Sequence, residues 1–119
     1  MPEKAVYSLT DAGREAFERL MDEISRKPVN LFLDFNAVIV NLESMPPESR
    51  EECLNHIENN VAVLKNYLTE NMALKEDLPT VPATGKAVLR QQLLLVQAIE
   101  AWIGSLKEEL ASMDGTAAQ

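Results

Sequence analysis

A chain of 119 residues with 46% hydrophobic content can close one domain around a modest core and is too apolar for a disordered tail. Its 11 basic residues against 19 acidic ones give a net charge of −8, and the basic residues form no stripe that could grip phosphate by itself. Single Cys53 and single His56 exclude an internal disulfide framework and a Cys-rich metal site.

The N-terminus, MPEKAVYSLTDAGRE, is polar and does not read as a secretion signal. No apolar run reaches the roughly 18 residues of a membrane span, and a cytoplasmic protein without a membrane partner is expected. Ala5 to Leu9 read as a short strand, Tyr7 and Leu9 alternating with Val6 and Ser8. Thr10 then stops it and can cap a helix over about Asp11 to Ser25, whose first turn holds Asp11 where the helix dipole favours it. Phe17, Leu20, Met21 and Ile24 fall on one face of that helix. Gly13 costs helix stability relative to alanine, which points to close packing or a tight entry.

Pro28 opens the segment VNLFLDFNAVIVNLES. Its apolar run is nearly continuous, so periodicity alone fits strand or helix; length and the early proline favour a helix. Asn30, Asp34, Ala37 and Asn41 would then line up as a thin polar stripe, with Asn36 on the apolar side. Such a helix would be central to the fold.

Met45-Pro46-Pro47-Glu48 ends it and starts a third helix, with Glu48, Glu51 and Glu52 at the N-terminal end that its dipole prefers. Leu54, Ile57, Val61, Leu64 and Leu68 follow spacings of 3, 4, 3 and 4, the a/d seam of a bundle helix. That helix should run to about Asn71 or Leu74, before the loop Leu78-Pro79-Thr80-Val81-Pro82.

The closing segment, Thr84 to Met113, contains no proline. Leu95, Ile99, Trp102, Leu106, Leu110 and Met113 recur at helical spacing, and Leu89, Leu93, Val96 and Ile103 lie beside them. A helix that is apolar so far round must bury more than one face. One face can pack on this chain and the other can meet a second copy. The expected fold is all-α with four helices, and Leu95, Ile99, Trp102, Leu106 and Leu110 are the expected homodimer contacts.

Candidates for chemistry are few. Glu52 and His56 could offer two metal ligands on one helix face, yet helical metal sites need repeated His or Glu-x-x-His steps on facing helices. Cys53 reads as a small buried hydrophobe more simply than as a redox switch. Trp102 can wall a site for a planar aromatic effector or anchor a core or dimer interface. Asn36 can be a polar contact in an apolar pocket or a hydrogen-bonded amide that sets register. No catalytic constellation, metal or cofactor is expected: Ser/His/Asp partners are missing, and Ala83-Thr84-Gly85-Lys86 lacks the glycine and the strand of a phosphate loop.

The block Tyr7-Ser8-Leu9-Thr10-Asp11-Ala12-Gly13-Arg14 is similar to the end of the wing in PadR-like winged helix-turn-helix transcriptional regulators. The break at Leu42-Glu43-Ser44-Met45-Pro46-Pro47-Glu48 and the closing-helix step Glu100-Ala101-Trp102 resemble the same family more loosely. The resemblance implies that residues 1–10 are a remnant of the wing strand and 11–119 a helical dimerisation and effector domain. The DNA-reading helices of the family would lie outside this chain. It further implies a homodimer, a possible small aromatic effector near Trp102 and Asn36, and DNA binding only through the winged-helix part of an intact parent. A different class of reading is a helical protein–protein interaction module, which would seat an amphipathic partner helix on the surplus face.

Overall fold

In a computed structural model, residues 10–117 are described, with side chains through 113. The expected strand at Ala5 to Leu9 lies outside the described residues. Four helices follow in order: α1 (Asp11–Ser25), α2 (Asn36–Ile39), α3 (Pro47–Lys75) and α4 (Ala83–Ala117), with a 3-10 turn at Leu42–Ser44. No strand occurs among the described residues, and the fold is all-α. By its internal contacts the chain divides into residues 1–33 and 34–119.

In the first unit, Thr10 caps α1 as its residue type dictates. Its Oγ1 accepts the Gly13 N–H at 3.0 Å, which satisfies one of the donors a helix start leaves open. At the other end Arg26 N–H donates to Asp22 O and Glu23 O, both at 3.2 Å, and Arg26 Nε meets Asp22 Oδ2 at 2.9 Å. Phe17, Leu20, Met21 and Ile24 do share one stripe, and all four remain exposed.

The segment after Pro28 carries a correction. The long central helix expected after Pro28 is absent: α-helix spans only Asn36–Ile39, and Val29, Leu31 and Phe32 are among the most exposed apolar residues described. Starting a helix fixes several residues for one hydrogen bond, a cost usually recovered by burying an apolar face. Val29, Leu31 and Phe32 bury almost nothing, and no side chain caps the start at Phe35. Asn36 is correspondingly exposed, not on an inner side.

The core of the second unit, residues 34–119, is the antiparallel hairpin of α3 and α4. Pro46 is extended and Pro47 occupies the first turn of α3, where a missing N–H costs nothing and the fixed φ suits a helix. Leu54, Ile57, Val61 and Leu68 of α3 bury against Val96 and Ile103 of α4, with Leu42 of the 3-10 turn closing one end. Leu64 departs from the expected seam and is 48% exposed. A strict seven-residue repeat drifts by about 20° per heptad on a straight helix, enough to carry one seam residue past the edge of the contact.

Two ion pairs mark the register of the hairpin. Lys65 Nζ meets Glu100 Oε1 at 2.8 Å, and Lys107 Nζ meets Glu58 Oε1 at 2.8 Å. Stepping seven residues down α3, from Lys65 to Glu58, moves the partner seven residues up α4, from Glu100 to Lys107. Lys107 also donates to Asn55 Oδ1 at 2.8 Å. Across the turn between the helices, Lys86 Nζ donates to Glu76 O at 2.8 Å.

Candidate self-association face

Helix α4 carries two apolar seams side by side. The inner one faces α3 and comprises Leu89, Leu93, Val96, Ile103 and Leu110, with Glu100 and Lys107 completing its period. The outer one begins with Val88, Leu95 and Trp102, each seven residues from the next and exposed by 52%, 46% and 38%. Ile99, Leu106 and Met113, again seven apart, alternate with them; the first two are half-buried and Met113 is exposed. Alternating steps of four and three residues along a helix are the pattern of a coiled-coil seam.

This divides the expected dimer contacts. Leu95 and Trp102 are exposed on the outer seam. Ile99 and Leu106 sit between the seams, packed in part against the core, and Leu110 belongs to the inner one. Sequence spacing alone grouped Leu110 with the outer set because the two seams are one residue out of phase.

On α3, Leu64, Tyr67 and Leu74 form a parallel exposed stripe, 48%, 61% and 74% accessible. On each helix the exposed stripe is rotated from the buried one in the same sense. In an antiparallel pair, equal senses bring both stripes to the same side of the layer. The hairpin therefore presents both exposed apolar stripes on one face, the kind of surface that marks an interaction site.

Trp102 sits on that face with a partner from its own chain. The Phe35 ring stacks on it, centroids 6.0 Å apart and planes 17° from parallel. Phe35 immediately precedes Asn36 at the start of α2, so the short helix delivers an aromatic ring to α4. The sequence reading missed Phe35 because the segment around it was assigned to a longer helix.

The remaining candidates stay apart. Cys53 is half-buried, not fully buried as its residue type suggested. Glu52 and His56 lie exposed on α3, and among the described residues no three metal-ligating side chains converge. An open hollow of about 310 Å³ near the start of α3, lined in part by Pro47, Leu54 and Leu110, includes neither Trp102 nor Asn36. No described helix is long and apolar enough to cross a membrane.

No family model, curated protein or solved structure matches the chain. The apolar face is therefore the feature on which a functional reading rests.

Proposed function

We propose that this chain is a homodimerisation and effector-sensing domain of a PadR-like transcriptional regulator. The observation that carries the reading is the outer seam of α4, apolar at Val88, Leu95, Ile99, Trp102, Leu106 and Met113 and open at four of those positions. Burial of apolar area is the main driving force of stable association. The wing-like block Tyr7 to Arg14 supplies the link to regulators. DNA contact in this reading belongs to the winged helices that precede this part in the family, and no residue here carries catalysis.

Sensing follows from the same face. A planar aromatic effector that displaced or extended the Phe35–Trp102 stack would favour one helix arrangement over another. Only such a difference in affinity shifts a balance between two states. Light scattering at micromolar concentration tests the dimer, with an expected mass twice the 13.3 kDa of the chain. A monomer under those conditions overturns the proposal. Titration of planar aromatic compounds against Trp102 emission tests the sensing half, and unchanged emission with all of them removes it.

A further inference from the structure

The outer seam of α4 has an order that reads the same from either end. Its eight positions are Val88, Gln92, Leu95, Ile99, Trp102, Leu106, Glu109 and Met113. Counted inward from the two ends, Val88 matches Met113, Gln92 matches Glu109, Leu95 matches Leu106 and Ile99 matches Trp102. The two polar residues thus occupy mirror-related places, and both are exposed. The centre of this symmetry lies between Glu100 and Ala101.

From this we infer that two copies pair α4 against α4 in antiparallel fashion, in the register that sets Trp102 against Ile99 of the second copy. The inference rests on the dimer reading above and adds to it an orientation and a register. A two-fold axis through the midpoint makes the patch self-complementary, as an isologous interface requires. Each apolar side chain then meets an apolar one. Gln92 meets Glu109 of the second copy, and an amide can donate to a carboxylate there.

Charge selects the same orientation. Between Ala83 and Ile99 the charged residues of α4 are Lys86 and Arg90, both basic. Beyond Lys107, which is held by Glu58, come Glu108, Glu109 and Asp114, all acidic. Antiparallel pairing brings the basic end beside the acidic end. Parallel pairing would set Glu109 directly against Glu109 within the seam, where like charges destabilise. Ala98 and Ser105 flank the centre on the outer side and are small enough for close approach of the helices. The Phe35–Trp102 stack lies beside that centre and would add its rings to the contact.

Spin labels on Ala87→Cys and Ala111→Cys, each in a Cys53→Ser background of the full chain, test the geometry. Ala87 and Ala111 are exposed and lie off the seam. With 1.5 Å of rise per residue about the stated centre, label separations of about 40 Å for position 87 and about 30 Å for position 111 are expected. Parallel helices would give under about 20 Å at both positions, and a dimer with that result overturns the orientation while leaving dimerisation intact. A dimer with any other pair of distances overturns the register. A monomer overturns both readings.

A charge variant supplies an independent readout. Gln92→Lys would face Glu109 at both ends of the antiparallel dimer and should tighten it by about two- to thirtyfold in Kd, the usual size of two exposed ion pairs. Gln92→Glu should weaken it by a similar factor. In a parallel dimer position 92 faces itself, so both variants would weaken association, and that outcome refutes the inference.

Discussion

Phe35 lies flat against Trp102, with ring centroids 6.0 Å apart and planes 17° from parallel. Through this stack the short α2 and the 3-10 turn are fastened to the middle of α4 by more than the burial of Leu42. Offset stacking adds about 0.5–1.5 kcal/mol beyond area burial. Phe35→Ala should therefore destabilise the second unit by about 1–3 kcal/mol, below the range of a fully buried phenylalanine because Phe35 is only partly buried. Urea unfolding gives the loss, and Trp102 emission in the folded state should shift to longer wavelength as the indole meets water. An unchanged spectrum would mean that the stack does not persist in solution.

The hairpin core predicts a contrast between two residues of one helix. Ile103 is fully buried and Leu94 is 60% exposed. Ile103→Ala should cost about 2–5 kcal/mol, since the methyl groups leave a cavity the helices can only partly close. Leu94→Ala should change stability by no more than about 0.5 kcal/mol. Equal losses in chemical denaturation would contradict the assignment of inner and outer faces. If the antiparallel dimer forms, the comparison belongs at one protein concentration, because association adds to apparent stability.

The success and failure of sequence reading along this chain have separate physical causes. The Thr10 cap was legible because a hydroxyl before a helix has one clear task, and Gly13 N–H does meet it at 3.0 Å. The extents of α1 and α3 and the start of α4 were legible because Pro47, the Leu78–Pro82 loop and sustained periodicity mark them locally, whereas α4 runs on to Ala117, past the end expected at Met113. The segment from Pro28 to Ser44 was not legible. Its apolar run has no period, and whether it winds into a helix depends on what covers it, which only tertiary structure decides. The two seams of α4 were legible as surplus apolar surface, but the assignment of Leu110 required the position of α3. Phe35 carried no signal of its role in sequence, since its partner lies 67 positions away in Trp102.

The register of the hairpin predicts a rescue. Lys65 and Glu100 are paired at 2.8 Å with side chains 35% and 42% exposed. Solvent screening at that exposure limits the pair to about 0.2–1 kcal/mol. Lys65→Glu should lose that and add repulsion, while the exchange Lys65→Glu with Glu100→Lys should recover most of it. A double-mutant cycle by urea unfolding isolates the coupling. A coupling of zero would show that apolar packing alone sets how α3 and α4 align.

Helix α1 predicts a local effect. It is the one described helix of residues 1–33 and has no other helix of its own unit to pack on, so its end groups matter more than usual. Thr10 Oγ1 satisfies the Gly13 N–H, and Thr10→Ala removes the acceptor at a cost of about 0.5–2 kcal/mol. Thr10→Ser keeps the oxygen and should retain most of the stability. Amide hydrogen exchange provides the readout, because local opening is measured where it occurs. In Thr10→Ala the amides of α1 should exchange about two- to thirtyfold faster, the equivalent of that energy range, while those of α3 keep their protection. Equal acceleration in α1 and α3 would mean that the cap supports the whole chain, and no change in either would mean that α1 does not depend on Thr10.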